Sequence, residues 1–238
     1  MIKYAAKLPI LKRIVPSIIK RLNLKGYIYT YNNIKFRLDL KYLVDRRFFL
    51  HGYDEDVIEH INTFCKSKNC NYFLDIGSCW GLYSLQVANA NPDLQVYAFD
   101  VFKSNINRLQ EMANSNDINN IKTFNYAIGS EEKMAVFSVN EKHSPNFAKD
   151  LNGTFKINVP QNSIDNLVNI SNSKIVIKMD IERSELEALK GSEKLLKKNK
   201  CLIVLETTNH KALNYLSSLD FKIIEHKLKT SDYLLSNF

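Results

Sequence analysis

The chain of 238 residues is 45% hydrophobic and 24% charged, and it contains only seven glycines and five prolines. This composition is typical of a globular protein and excludes repeat arrays, collagen-like chains and disordered chains. Lysine and arginine number 33 against 25 acidic residues, and the resulting net charge of +8 favours anionic partners without distinguishing nucleic acid, lipid and acidic glycans.

The first 50 residues predict an extension made of a helix and a hairpin. Apolar residues recur at helical spacing over residues 10–22, with lysine and arginine on the other side, which predicts a basic amphipathic helix kinked or restarted at Pro16. Such a helix either lies on an anionic membrane or packs on its own domain. Residues 27–31 and 34–38 alternate around Asn32 and Asn33, which predicts a β-hairpin.

Residues 51–238 predict one doubly wound α/β domain. A helix starts at Asp54, which can cap it. Short apolar runs then alternate with helical stretches, which requires right-handed crossovers and a mostly parallel sheet. The strands are expected at 72–76, 94–99, 121–126, 175–179 and 201–205, and the helices at 82–89, 105–114, 184–197 and 211–218. An insertion spans 129–160, and residues 221–228 and 232–238 predict an antiparallel hairpin at the sheet edge.

The segment from Asp75 to Gly81, Asp-Ile-Gly-Ser-Cys-Trp-Gly, joins the first core strand to the next helix. Its glycines permit a tight turn and a close approach of a ligand to the backbone. The G-x-x-x-G spacing matches neither a dinucleotide fingerprint nor a P-loop. A loop of this kind suits a carboxylate and a sulfonium better than a pyrophosphate.

Asp100 ends the second core strand, 19 residues after Gly81. An acid at this place can accept both hydroxyls of an adenosine ribose. Loop and acid together predict a binding site for S-adenosylmethionine. The alternative is that Asp100 caps the helix that begins near Lys103.

A third group of polar residues follows the strand at 175–179. Lys178 lies within this apolar strand and needs a carboxylate partner if it is buried. Asp180 and Glu182 follow at the carboxyl end of the strand, where ligands bind in open α/β sheets. Glu185 and Glu187 are expected on a solvated helix face.

These blocks, together with Ser163-Ile-Asp165 and a strand ending in Glu206, resemble the FkbM-type methyltransferases over about residues 50 to 237. The resemblance includes the segment from Gly52 to Glu55, and it implies a class I methyltransferase fold (Rossmann-like), S-adenosylmethionine as cofactor, and methylation of a hydroxyl on sugars, polyketides or related metabolites. Asp100-Val101 replaces Glu-Pro of the family pattern. Arg183 stands where the family usually has glycine, and this cation could read an anionic acceptor.

Carried over by position, the resemblance assigns the cofactor site. Asp75 belongs to this block, Gly77, Ser78 and Gly81 would hold the methionine end, Asp100 the ribose, Asn125 and Ala127 the adenine, and Glu55 and Tyr83 would close the pocket. The candidates for catalysis are Asp180, Glu182 and Glu206, with Lys178 beside them and His210 as a further candidate.

Asp180 and Glu206 are expected to end neighbouring strands, beside the sulfonium. Methyl transfer to an alcohol needs the hydroxyl proton removed as the bond forms, and a carboxylate or His210 could take it. Alternatively, Asp180 and Glu206 could hold Mg²⁺ and lower the pKa of the hydroxyl. Glu206 could instead pair with Lys178.

Three functions remain in competition. The first is an O-methyltransferase acting on a small-molecule or glycan acceptor. The second is an RNA methyltransferase, suggested by the net charge and by the aromatic and basic residues at 42–49, although no recognisable RNA-binding module is visible and no specific nucleic acid is expected. The third is a non-catalytic scaffold on a membrane. We expect the first, in the cytoplasm, with residues 10–22 as the candidate contact to the inner membrane face.

Overall fold

The computed structural model describes residues 14–22, 25–139, 155–181, 183–228 and 232–238. The helices are α1 (Ile14–Leu22), α2 (Leu43–His51), α3 (Glu55–Lys68), α4 (Leu82–Ala90), α5 (Lys103–Ser115), α6 (Ile164–Leu167), α7 (Glu185–Lys190), α8 (Glu193–Lys198) and α9 (His210–Ser217). The strands are β1 (Tyr27–Tyr31), β2 (Ile34–Leu38), β3 (Tyr72–Ile76), β4 (Gln95–Phe99), β5 (Ile121–Phe124), β6 (Ala127–Ile128), β7 (Lys133–Val139), β8 (Phe155–Asn162), β9 (Lys174–Met179), β10 (Lys200–Glu206), β11 (Lys222–Leu228) and β12 (Asp232–Ser236).

The central sheet has seven strands in the order β11-β12-β10-β9-β3-β4-β5. Strands β5, β4, β3, β9 and β10 are parallel, whereas β12 is antiparallel to both β10 and β11. The doubly wound sheet and its hairpin at the edge are therefore confirmed. The chain runs outward from β3 to β5 and then crosses back to β9 on the other side of β3. Ligands bind at such a reversal, beyond the carboxyl ends of the strands.

Two hydrophobic cores cover the two faces of the sheet. Alternate residues of a strand point to opposite faces. Phe73 and Val176 accordingly belong to one core, and Leu74 and Ile177 to the other. Burial on both faces explains why the parallel strands are nearly continuous apolar runs, and therefore why they could be located in the sequence.

The N-terminal hairpin shares the first of these cores. Asn32 and Asn33 have positive φ angles of 49° and 62°, as a two-residue hairpin turn requires. The ring of Phe36 in β2 lies 4.9 Å from that of Phe48 in α2, and both rings contact Trp80 at 6.0 and 5.8 Å. The extension is thus packed against the domain, while the proposed boundary between residues 50 and 51 remains a prediction.

A buried ion pair also fastens the extension to α5. The side chain of Asp45 is buried, and its carboxylate accepts hydrogen bonds from the Arg108 guanidinium, at 2.5 and 3.3 Å, and from the Asp39 amide at 2.6 Å. Burial raises the pKa of Asp45, and the charge of Arg108 opposes this shift. Arg108 also donates to the Arg37 carbonyl at 2.6 Å, so one side chain bridges β2, α2 and α5.

The first helix begins at Ile14, so the prediction for residues 10–13 lies outside the described residues. Pro16 lies in its first turn, where the missing amide costs no hydrogen bond. Farther along, the single helix expected at 184–197 is two helices, α7 and α8. Gly191 separates them, and a Cβ at this position would lie 1.9 Å from the Gly129 carbonyl oxygen. Close packing against the insertion therefore accompanies the break.

The insertion forms a small separate sheet. Strand β8 pairs parallel with β6 and antiparallel with β7. The block Ser163-Ile-Asp165 follows β8 and has a structural role. Ser163 caps α6 by accepting from the Asn166 amide at 3.3 Å, and Asp165 accepts from the amides of Lys194 and Leu195, both at 2.9 Å, in the first turn of α8.

Candidate functional site

Two backbone hydrogen bonds hold the loop from Asp75 to Gly81 at the end of β4. The amides of Gly77 and Ser78 both donate to the Phe99 carbonyl oxygen at 2.9 Å. Gly77 has a φ of +86°, and a Cβ there would lie 2.0 Å from the carbonyl oxygen of Asp180. Only glycine fits here, because the backbones of the loop and of the β9 end nearly touch.

Gly81 lies where α5 packs against the loop. It precedes α4 with a φ of +91°, and a Cβ would lie 2.3 Å from Cδ1 of Leu109 in α5. Gly81 therefore permits α5 to pack closely against the loop. Within the described part of the chain it does not line the cavity beside the loop, and its contact with the cofactor remains a prediction.

Asp75 is buried and holds the start of α4. Its Oδ2 accepts hydrogen bonds from the Ser84 amide at 3.1 Å and from the Ser84 hydroxyl at 2.5 Å. Burial raises the pKa of Asp75 to about 6, although these hydrogen bonds and the charge of Lys178 oppose the shift. The carboxyl group thus fixes the helix behind the loop, and Asp75 also contributes to the cavity wall.

Asp100 ties the loop to the start of α5. Its Oδ2 accepts from the Cys79 amide at 2.9 Å, and its Oδ1 accepts from the Phe102 amide at 2.7 Å and from the Asn105 side chain at 3.0 Å. Burial nevertheless raises the pKa of Asp100 to about 7. Both interpretations of the sequence therefore find support in the geometry: Asp100 braces the beginning of α5 and lines the cavity.

A central cavity lies between the loop, the ends of β4 and β9, and the small sheet. Its walls comprise Val44, Tyr53, Asp75, Ile76, Gly77, Ser78, Cys79, Trp80, Leu82, Tyr83, Phe99, Asp100, Val101, Phe102, Tyr126, Ala127, Ile128, Phe137, Lys178, Asp180, Ile181 and Ser184. Ser78 is only 5% exposed, and its Oγ has no hydrogen-bond partner among the described residues. A buried hydroxyl without a partner is costly, so this one indicates a ligand.

Lys178 and Asp180 form an ion pair at one end of the cavity. Lys178 is 3% exposed, and its Nζ lies 3.5 Å from Oδ2 of Asp180 and 5.3 Å from the ring centre of Tyr83. The expected carboxylate partner of the buried lysine is confirmed. The side chain of Asp180 is 40% exposed, so this carboxylate can meet a substrate.

Tyr53 lies at the same end of the cavity and was missed as a functional residue. Burial raises the pKa of its phenol to about 12, with smaller contributions from Asp54, Asp180 and Glu206, while Lys178 lowers it. The charges of three carboxylates and one cation therefore act on this hydroxyl. Its place in the segment from Gly52 to Glu55 was the available indication, because that segment already belonged to the family resemblance.

Asp54 does not cap α3 with its side chain, contrary to expectation. It has a φ of 49°, and its Oδ2 accepts the Tyr83 hydroxyl at 2.9 Å. The turn before α3 is thereby joined to α4. Tyr83 lines the cavity as predicted.

Asp180 and Glu206 follow neighbouring strands, as predicted. Met179 is paired with Leu205 in the parallel ladder, and each acid comes one residue later. Glu206 is half-buried at the end of β10. Glu182 lies outside the described residues, so its catalytic role remains a prediction.

On the adenine side, Asn125 supports the loop after β4. Its side-chain amide donates to the carbonyl oxygens of Asp100 and Val101, both at 2.9 Å. Ala127 lines the cavity from β6, next to Tyr126. The structure thus brings Ala127 to the cavity wall and gives Asn125 a supporting position.

Two predicted residues lie apart from this wall. Glu55 is exposed at the start of α3. Burial raises the pKa of Tyr31 to about 12, and a hydrogen bond to Glu55 and the charge of Glu55 add to this shift. His210 is exposed at the first position of α9. Neither belongs to the cavity lining in the described part of the chain.

The turn after β9 explains the Arg183 position. Arg183 has a φ of +69°, a conformation in which glycine is free of strain, and its amide donates to Oε1 of Glu185 at 2.7 Å. Glu185 is 2% exposed, so its expected place on a solvated face is wrong. The Glu185 carboxylate points inward and stabilises this turn by accepting the Arg183 amide. Glu187, in contrast, is exposed and pairs with Lys190 at 2.7 Å.

The predicted Mg²⁺ site receives no support. In the ranges that the structure describes, no three histidine, cysteine, aspartate or glutamate side chains form a group that could hold a metal ion. No helix within the same ranges is long and apolar enough to cross a bilayer.

The strand order, the glycine loop at the reversal of the sheet and the acid at the end of β4 define an S-adenosylmethionine-dependent methyltransferase of class I. The family model of the methyltransferase FkbM domain matches residues 56–223, and the chain belongs to this family. No match was found among curated proteins.

Three solved structures of methyltransferases are similar to this chain. The tRNA (uracil-54, C5)-methyltransferase of Pyrococcus abyssi in complex with S-adenosyl-L-homocysteine has a TM-score of 0.53 at 11% identity, over 90% of this chain and 44% of its own. An rRNA methylase of Streptococcus thermophilus has a TM-score of 0.47 at 16% identity, over 75% and 93%. A SAM-dependent methyltransferase of Aquifex aeolicus has a TM-score of 0.44 at 15% identity, and the match covers 93% of this chain and 97% of that protein.

Proposed function

We propose that the protein transfers a methyl group from S-adenosylmethionine to a hydroxyl of a sugar, a glycan intermediate or a related metabolite. The acidic surroundings of Tyr53 carry this proposal. Asp180 and Tyr53 both line the cavity, Asp54 is the next residue of the chain after Tyr53, and Glu206 ends β10, which pairs with the strand before Asp180. Carboxylates readily accept hydrogen bonds from sugar hydroxyls, and they repel the phosphates of a nucleic acid.

The residues around the loop fit the cofactor. Gly77 lines the cavity without a side chain, and Ser78 offers a buried hydroxyl that lacks a partner among the described residues. These two residues would hold the methionine end, and Asp100 would accept the ribose hydroxyls. S-adenosylmethionine supplies an activated methyl group on its sulfonium.

The chain's own contribution to the reaction is to position the acceptor and to remove its proton. Asp180 is the best placed general base, because its carboxylate is partly exposed in the cavity and is paired with Lys178 at 3.5 Å. Tyr53 would hold the acceptor against this carboxylate. Alignment of the acceptor oxygen with the methyl carbon supplies the rest of the rate.

The test is transfer of labelled methyl from S-adenosylmethionine to a panel of nucleotide sugars and glycans, with wild type and Asp180→Asn. The variant should lose at least about 100-fold in turnover, as expected for a general base, with unchanged affinity for S-adenosylhomocysteine. Glu187→Gln, which neutralises an exposed acid outside the cavity lining, is the matched control. Unchanged turnover of Asp180→Asn on an accepted substrate would remove Asp180 from the role of base.

RNA is the second candidate acceptor, and the basic extension favours it. The same assay with total RNA decides between the two. Labelling of one RNA at elevated salt, with all glycans left unlabelled, would overturn the proposal, because nonspecific RNA binding weakens steeply as salt rises.

A further inference from the structure

We propose that the described part of the N-terminal extension, residues 14–22 and 25–51, forms a docking surface for an anionic lipid bilayer, here called the basic face. This inference concerns where the protein works and does not depend on which hydroxyl it methylates. It rests on charge, on exposed apolar side chains and on the position of these elements beside the cavity.

The net positive charge of the protein is confined to its first 51 residues. Residues 1–51 contain twelve lysines and arginines and two aspartates, a net charge of +10. The remaining 187 residues contain 21 basic and 23 acidic residues, a net charge of −2. The basic face itself has eight cations against Asp39 and Asp45. The net positive charge of the protein therefore comes from its first 51 residues and not from the rest of the chain.

Helix α1 leaves apolar side chains outside. Ile19 is 3% exposed and joins the core, whereas Ile18 is 51% exposed and Leu22 is 58% exposed. Ile18 and Leu22 are four residues apart and therefore lie on the same side of the helix. Lys20 and Arg21, both exposed, flank them. Apolar side chains beside cations are the pattern of a helix that lies in the interface of a bilayer.

The same combination continues on the neighbouring elements. Exposed apolar residues are Tyr27 and Ile28 in β1 and Leu43 in α2, and exposed cations are Lys25, Lys35 and Arg47. Helix α1 contacts α2, and the Tyr27 ring lies 5.3 Å from Phe49 of α2. The elements that carry these side chains are therefore packed together.

The basic face adjoins the cavity. Leu43 is 41% exposed, and the next residue, Val44, lines the cavity wall. A bilayer that receives Leu43 would therefore lie close to the part of the cavity wall that Val44 forms.

A bilayer fits this surface better than RNA does. Four of the five exposed apolar residues, Ile18, Leu22, Ile28 and Leu43, are aliphatic. Aliphatic side chains gain free energy by entering the lipid interface, but they offer no aromatic face on which a base can stack. The cations attract either polyanion, so the aliphatic residues decide the choice.

The experiment is cosedimentation of the full chain with phosphatidylcholine vesicles that either contain or lack phosphatidylglycerol, at physiological salt. Wild type should bind only the anionic vesicles. Lys20→Gln with Arg21→Gln should weaken binding about 25-fold, since each cation near an anionic surface strengthens binding about fivefold. Ile18→Ser with Leu22→Ser should weaken it by a similar factor.

Two double variants serve as controls. Lys194→Gln with Lys198→Gln removes the same charge from exposed positions of α8, and Ile223→Ser with Ile224→Ser removes exposed apolar residues from β11. Both should bind as wild type does, and circular dichroism should show every variant folded. Absence of binding by wild type, equal binding to neutral vesicles, or an equal loss in the controls would overturn the proposal. Retention of RNA at elevated salt without vesicle binding would assign the basic face to nucleic acid.

Discussion

Gly77→Ala is the substitution with the clearest expected cost. The new Cβ would lie 2.0 Å from the Asp180 carbonyl oxygen, whereas Cβ atoms in proteins essentially never come closer than 3.0 Å to another atom. The end of β9 must therefore move by about 1 Å. That movement strains the hydrogen bond from the Asp180 amide to the Ile76 carbonyl, which is 3.0 Å long.

The magnitude follows from two contributions. A φ of +86° costs alanine about 1–2 kcal/mol relative to glycine, and the strained hydrogen bond about 1 kcal/mol more. A total of about 2–3 kcal/mol lowers the Tm of a protein of this size by roughly 4–12 °C. Because Asp180 and the loop both shift, affinity for S-adenosylhomocysteine should also be lost.

Gly26→Ala is the matched control. Gly26 has a φ of +64°, and its nearest neighbour would be the flexible Arg37 side chain at 3.3 Å. It therefore has the cost of backbone conformation, about 1–2 kcal/mol, without a clash against backbone. Its Tm should fall by roughly 2–8 °C, which is less than the fall in Gly77→Ala. Calorimetry of both variants, with and without S-adenosylhomocysteine, is the assay. Equal Tm values and equal ligand affinities would refute the argument from close approach.

Three further substitutions test the site and its support. In wild type, affinity for S-adenosylhomocysteine should rise between about pH 6 and about pH 8, because the pKa of Asp100 is about 7 and ribose hydroxyls favour its ionised form. Asp100→Asn should abolish this rise in calorimetric titrations. Arg108→Ala should lower the free energy of unfolding by about 3–5 kcal/mol in urea titrations, since it leaves the buried Asp45 carboxylate without its cation. Lys178→Met should reduce turnover in the labelled-methyl assay at least about tenfold, because the cation beside the Asp180 carboxylate is lost.

Each of these has a contrary outcome. An affinity that rises with pH in Asp100→Asn as in wild type would place the titrating group elsewhere.

In the ligand-free protein, the raised pKa of Asp100 also makes stability depend on pH. The folded state keeps the Asp100 proton that the unfolded state releases, so stability present at low pH is lost as the pH rises through about 7. Arg108→Ala with wild-type stability, or Lys178→Met with wild-type turnover, would contradict the roles given to these ion pairs.

The sequence predicted the sheet well because burial on both faces leaves a legible pattern. Residues 72–76 were predicted with their observed bounds, since β3 lies inside the sheet, between the apolar strands β9 and β4. The pairing of Lys178 with a carboxylate followed from the cost of burying a charge. The glycine loop was visible because positive φ angles and close approaches demand glycine.

Other features depend on contacts between distant segments. Tyr53 enters the cavity through the turn between α2 and α3, which no local periodicity describes. Glu185 is buried because its carboxylate holds the Arg183 amide, although its spacing is that of an exposed helix residue. The break at Gly191 depends on the carbonyl of Gly129, 62 residues earlier.

Trp80 belongs to the cofactor loop, but its ring is packed among side chains of the extension. It is 1% exposed, contacts Phe36 and Phe48, and lies under the guanidinium of Arg108 at 4.8 Å. A displacement of the hairpin or of α2 must therefore repack this indole and disturb the loop. The two regions are energetically linked, and linkage is reciprocal. Binding of a partner that stabilises the extension would therefore raise the affinity for the cofactor, and a bound cofactor would in turn stabilise the extension.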